Sequence, residues 1–222
     1  MENELWIYDV IGQGWEESGI TAESVRDHLS EIEGDLTVRL NSPGGDVFEA
    51  VAIKSLLDRY EGTVKAIVDG LSASASTIIQ MAADTVEMAD GAMIMIHEPW
   101  GATVGDEKDH IAQASALGGI GRNLAEMYAS RGQETPDHFR ALMRAETWLT
   151  AEESLALGLA DTVSASEAKD YKVPREFGYK NVPAKYAKHL GLRNPVGKWT
   201  RNGLSSRAMQ RKIDLTRRAA RL

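Results

Sequence analysis

Residues 69–83 read Asp-Gly-Leu-Ser-Ala-Ser-Ala-Ser-Thr-Ile-Ile-Gln-Met-Ala-Ala, and the reading of this stretch decides the rest of the chain. An apolar, β-prone run (residues 63–68, TVKAIV) leads into Gly70, and a helical apolar segment (residues 77–83) leads out. The order predicts a strand, a tight turn at Gly70 and a helix start. A serine held at such a junction stands exposed, with unpaired backbone N–H groups of the helix end beside it. A positioned hydroxyl and nearby amide donors are what acyl transfer needs. The same small residues also suit a helix packed closely against a sheet, so the stretch alone leaves both readings open.

Upstream, residues 5–10 (LWIYDV) read as a strand, and Gly12, Gly14 and Gly19 make a loop around Trp15. Thr21 is placed as an N-cap, with Glu23 in the first turn and Val25, Leu29 and Ile32 at helical spacing. Residues 36–40 (LTVRL) alternate as a strand does. Asn41-Ser42-Pro43-Gly44-Gly45-Asp46 is a concentrated turn signal, and Asp46 can cap the helix carrying Val47, Val51, Leu56 and Leu57.

Downstream, residues 85–88 and 92–96 (AMIMI) read as short buried strands, the second ending at His97-Glu98-Pro99. Residues 106–131 read as a long helix in which Gly118, Gly119 and Gly121 predict a bend or hinge. A short helix over 136–143 follows. Thr150 with Glu152 and Glu153 opens another, and residues 159–163 form a last strand. Strands alternating with helices predict an α/β fold, a mainly parallel sheet with crossover helices.

Composition excludes several classes. The 222 residues contain no cysteine, hence no disulfide, thiolate metal site or cysteine nucleophile. Residues 1–10 (MENELWIYDV) lack the basic and apolar regions of a signal peptide, and no apolar run approaches a membrane span. The overall charge of −8 conceals a split: residues 1–165 hold 10 basic against 29 acidic side chains, residues 166–222 hold 15 against 4. An acidic body joined to a basic tail points to two parts with different partners.

Four motifs occur in order: Asn41-Ser42-Pro43-Gly44-Gly45 after a strand, Gly70-x-x-x-Ser74, Met95-Ile96-His97-x-Pro99, and an acid shortly before Thr150-Ala151-Glu152-Glu153. Over roughly residues 3–165 the chain resembles the Clp protease family of serine peptidases, most closely its phage head-maturation (prohead) branch. The resemblance implies a ClpP/crotonase-like fold over residues 1–165, with 166–222 as an appended basic tail, partly irregular or helical. It also implies Ser74 as nucleophile, His97 as general base, and the N–H groups of Gly45 and Ala75 as oxyanion donors. The family's third member, usually Asp, falls on Glu146. Ser72 and Ser76 miss the offset and are read as packing or capping residues. His28, His110, His138 and His189 are read as surface residues, and Asp161, the competing acid, as a strand-end or turn residue.

No cofactor or metal is implied. The resemblance further implies a homo-oligomeric ring with residues 106–131 as interface, and capsid and scaffold proteins as substrates during prohead assembly in the cytoplasm. The family's longer N-terminal segment has no counterpart before the first strand, which argues against an AAA+ unfoldase partner. The tail, with Phe177, Tyr179, Tyr186 and Trp199 among its basic residues and a basic helix over 205–222, is the one part suited to an acidic surface or nucleic acid. Other readings are a housekeeping Clp subunit, a signal-peptide-peptidase relative, a crotonase-like acyl-CoA enzyme, and a non-catalytic assembly module. A signal-peptide-peptidase relative needs a Ser–Lys dyad, which Lys54 and Lys65 do not match.

Overall fold

The computed structural model describes residues 3–13, 19–167 and 178–182. The loop tip around Trp15, His189 and the expected helix over 205–222 lie outside the described residues. The chain order is β1 (Asn3–Ile7), α1 (Ala22–Leu29), β2 (Leu36–Ser42), α2 (Val47–Leu57), β3 (Val64–Ala73), α3 (Ala75–Gln80), β4 (Thr85–Asp90), β5 (Met93–Ile96), α4 (Glu107–Arg131), α5 (Pro136–Arg144), β6 (Thr147–Thr150), α6 (Ala151–Ala156) and β7 (Thr162–Glu167). Seven strands form one sheet, ordered β1-β2-β3-β4-β7, with β5 attached to β3 and β6 to β5. Every pairing is parallel except β5 with β6.

The expected caps are present. Thr21 accepts from the Ser24 N–H, Asp46 from the N–H groups of Phe48 and Glu49, and Thr150 from that of Glu153. Alternate residues of β1 to β4 (Leu5, Ile7, Val38, Leu40, Ala66, Val68, Val86, Met88) are buried with Ile53, Ile78 and Ile79 of α2 and α3. This one-sided core fixes the register, because a one-residue slip would turn each apolar side chain to the other face.

Three expectations change, and a fourth gains detail. First, β3 continues as one strand through Gly70 to Ala73 instead of ending there, with a register shift against β2 between the Leu40–Val68 and Ser42–Ser72 pairs. Residues 65–68 pair with β4, and residues 71–73 pair with β5. At the change of partner the buried Asp69 carboxylate accepts from the Tyr8 hydroxyl (2.6 Å) and the Arg39 guanidinium, and Asn41 Oδ1 accepts from the Leu71 N–H (3.1 Å). Side chains thus satisfy groups that a plain ladder would leave open. Second, α4 is the long helix expected, continuous across its glycines. Gly121 serves a close contact: a Cβ there would overlap the Arg140 guanidinium and the Glu98 carboxylate. Third, the last strand is Thr162–Glu167, because Leu159 and Ala160 are tied by their N–H groups to the Ser154 carbonyl before it starts. Fourth, the first strand ends at Ile7. Ile11 beyond it bridges to Gly45, its N–H donating to Gly44 O (2.9 Å) and its carbonyl accepting from the Asp46 N–H (2.9 Å).

Candidate active site

Parallel pairing of β3 with β5 brings Ala73 opposite Met95, so the residues just beyond them emerge at the same end of the sheet. Those residues are Ser74 and His97. Ser74 Oγ lies 2.8 Å from His97 Nε2, a hydrogen bond in which the imidazole tautomer protonated at Nδ1 accepts from the hydroxyl. Both residues are half-buried.

Ser74 occupies the junction between β3 and α3 with φ 53° and ψ −122°. An L-residue rarely holds such angles, which cost of the order of 1–3 kcal/mol. Three bonds lock the conformation. The Ser74 N–H donates to Met95 O (2.8 Å), and its carbonyl accepts from the Thr77 N–H (3.0 Å) and Thr77 hydroxyl (2.5 Å). Thr77 in turn shares a hydrogen bond with the hydroxyl of Tyr128, fully buried on α4. Ser72 and Ser76 are both buried, 3.2 Å apart between hydroxyls, the packing role expected for them.

The turn after β2 lies against this junction. Gly44 has φ 90° and Gly45 φ 154°. A Cβ on Gly44 would stand 2.5 Å from Ala73 O and 2.9 Å from both Ala75 N and Ser74 Cβ, so only glycine permits this approach. Ser42 anchors the turn, its hydroxyl accepting from the Gly44 N–H (3.1 Å) and donating to Asp9 O (2.7 Å). The amides of Gly45 and Ala75 make no hydrogen bond among the described residues. They are two unbonded backbone donors, one in the turn that touches the Ser74 junction and one on the residue after Ser74.

Burial pushes the His97 imidazole from 6.5 down to about 4, with the Lys180 ammonium adding to the effect. The ring is therefore neutral, and able to accept a proton, across the physiological range. Of the other histidines, His28 reaches the Glu4 carbonyl (3.0 Å), and His110 and His138 are exposed. Asp161 accepts from the Val86 N–H (2.6 Å) and pairs with Arg131, far from His97 in role and partners.

Glu146, expected as the third member, is not hydrogen-bonded to His97 among the described residues. Its Oε1 accepts from the backbone N–H groups of Lys180 (2.5 Å) and Asn181 (2.6 Å). Asn181 Nδ2 returns a bond to Ala145 O (2.6 Å). Residues 178–182 are thereby drawn onto the site. Tyr179 is buried with its ring perpendicular to His97 at 5.5 Å and near-perpendicular to Trp148 at 5.7 Å. Its hydroxyl donates to Pro43 O, next to the Gly44–Gly45 turn. The sequence offered no signal for Tyr179 beyond its place among scattered tail aromatics. Thr77 was equally unmarked, although a hydroxyl one turn after a junction serine is a legible cap for its carbonyl.

Among the described residues no helix is long and apolar enough to cross a membrane. The Clp protease family model matches residues 21–167. The chain is 31% identical over 136 residues to an ATP-dependent Clp protease proteolytic subunit of Streptococcus gordonii, covering 60% of this chain and 69% of that protein. It is 29% identical over 146 residues to the subunit of the same description from Pleurastrum terricola, covering 65% and 72%. A solved ClpP1 mutant from Listeria monocytogenes superposes with a TM-score of 0.64 at 22% identity, covering 76% of this chain and 93% of that one. That likeness carries the fold, and the family model together with the sequence relatives carries the kinship: the chain belongs to the Clp protease family.

Proposed function

We propose that this protein is a serine endopeptidase with Ser74 as nucleophile and His97 as general base. The observation that carries the reading is the 2.8 Å contact between Ser74 Oγ and His97 Nε2 at a strained strand–helix junction. Ser74 Oγ attacks a peptide carbonyl carbon while its proton passes to His97 Nε2. The carbonyl oxygen takes the negative charge and receives the N–H groups of Gly45 and Ala75. As the tetrahedral adduct collapses, the C–N bond breaks and the imidazolium proton goes to the leaving amine. Water then attacks the acyl ester, giving its proton to His97, and Ser74 is restored.

The test is labelling by a fluorophosphonate. Wild type labels. Ser74→Ala does not, and His97→Ala labels about 10²–10⁴-fold more slowly, the usual worth of a general base. Equal labelling of Ser74→Ala overturns the assignment.

The finer reading is a head-maturation protease that cleaves scaffold and capsid proteins within a cytoplasmic prohead, acting as a self-associated ring. Its support is the motif resemblance and the acidic body with a basic tail. A housekeeping Clp proteolytic subunit is the second reading, favoured by the two relatives described as ATP-dependent. Processing of folded, co-expressed capsid and scaffold proteins without an ATPase separates them. A prohead enzyme processes co-expressed capsid and scaffold proteins with no ATPase added, whereas a housekeeping subunit needs an unfoldase and ATP for folded substrates.

A further inference from the structure

Residues 178–182 are held on the site by one carboxylate. We infer that Glu146 and Tyr179 are positioning residues. Glu146 clamps this segment through two backbone amides, and Tyr179, carried by the segment, sets the His97 ring and the Pro43–Gly44–Gly45 turn. The inference rests on the serine-peptidase reading of Ser74 and His97.

Three observations support it. A single oxygen of Glu146 accepts both N–H bonds, from Lys180 and Asn181, so its hydrogen bonding goes to the segment and not to the imidazole. Glu146 itself is held at φ 49°, an angle rare for a residue with a side chain, and its N–H donates to Met143 O (3.1 Å). Backbone strain of this sort persists only where surrounding contacts over-determine it. Finally, Tyr179 touches both halves of the catalytic apparatus. Its ring edge-packs on His97 at 5.5 Å, and its hydroxyl holds the carbonyl of Pro43, whose chain continues into the Gly45 donor. Tyr179 and Val182 are buried with Leu71 and Ala73 of β3, Met93 and Met95 of β5 and Trp148 of β6, the strands that carry and flank Ser74 and His97. An imidazole fixed by a packed aromatic wall instead of a carboxylate keeps its orientation without a counter-charge. That arrangement agrees with a ring that burial holds neutral.

The two roles for Glu146 predict opposite orders of substitution. A carboxylate that orients the imidazole tolerates Asp, the family's usual residue, and not Gln, whose amide supports the wrong tautomer at about 10⁴-fold cost. A clamp that accepts two N–H bonds tolerates Gln, whose carbonyl oxygen has two lone pairs, and not the shorter Asp. The experiment is the rate of fluorophosphonate labelling of full-length protein, measured from pH 4 to 9 for Glu146→Gln, Glu146→Asp, Glu146→Ala, Tyr179→Ala and the double alanine variant.

The expected order is wild type, then Gln within about fivefold, the scale of exchanging a charged acceptor for a neutral one. Asp and Ala follow, with each alanine variant about 10²-fold slow, the effect of misplacing a reacting group by an ångström. The double variant is no slower than the worse single, because both act through one segment. Glu146→Gln keeps the wild-type acid limb. Asp outpacing Gln, Gln falling 10³-fold or more, or an acid limb moved in Gln overturns the inference. So do additive losses in the double variant. Circular dichroism confirms folding of each variant, and the Gln–Asp comparison decides the matter even where an alanine variant does not fold. Wild type that fails to label at Ser74 is a separate result, and it removes the serine-peptidase reading itself.

Discussion

At φ 53° and ψ −122°, Ser74 holds a conformation that glycine would adopt without penalty. Ser74→Gly is therefore expected to be more stable than Ser74→Ala by about 1 kcal/mol, the strain relieved less the extra chain entropy that glycine loses. Urea midpoints of the two inactive variants measure it, and an Ala variant as stable as the Gly variant means the junction carries no strain. His97 supplies a second residue-scale expectation. Its pKa is lowered in the fold to about 4, so between roughly pH 6.5 and 4 the unfolded chain binds a proton that the folded chain does not. Stability then falls as pH drops through that window and levels off below it, by roughly 3 kcal/mol from this group. The same shift places the acid limb of Ser74 labelling near pH 4. Removing the Lys180 charge relieves one of the two causes of the depression, so Lys180→Gln moves the limb to higher pH. A limb that stays put, or moves down, shows that Lys180 does not act on the imidazole.

The site is assembled by element ends more than by elements. The β3–β5 pairing places Ser74 beside His97, and the Gly44–Gly45 turn is pressed on the junction by the bridge from Ile11 and the Ser42 hydroxyl. Gly44→Ala puts a methyl against Ala73 O and Ala75 N, so the turn must retreat and take the Gly45 N–H with it. A loss of about 10²–10³ in labelling rate is expected, the worth of one oxyanion donor. A variant that labels at the wild-type rate means the turn does not serve the oxyanion. This logic also explains what the sequence could disclose. The strands, caps and crossover helices follow from local period and cap chemistry, and Ser74, His97 and the glycine turn are visible as a motif at the joints between them. Gly70 was misread as a turn because its continuity comes from a change of partner strand and from Asp69 bonding to Tyr8 and Arg39, contacts that no local period encodes. The close contact at Gly121 was not legible, because its partner, Arg140, lies on another helix. The Glu146 contact joins it to residues 34 and 35 positions later in a segment without regular structure, so neither propensity nor spacing could reveal it.

At the scale of the molecule, α4 is the element that the other described residues leave half uncovered. Its 25 residues extend about 37 Å, and its buried residues are Gly121, Leu124, Ala125 and Tyr128, all in the C-terminal half. The N-terminal half is exposed or nearly so, with Ile111 61% accessible, and the loop before it exposes Trp100 and Val104. A helix half lacking tertiary packing is marginal in water, and its capping box at Asp106 contributes only about 1 kcal/mol. Packing against another copy would supply the missing burial, consistent with the self-association proposed above. Wild type is accordingly expected to sediment well above its 24.3 kDa chain mass, and Ile111→Glu or Trp100→Glu to shift it toward that mass. The two substitutions place a charge on solvent-exposed positions of the isolated chain, so they spare its fold, and circular dichroism should match wild type. Sedimentation of wild type as a monomer at micromolar concentration would remove the ring, and an unchanged assembly in both variants would move the interface away from this half of α4.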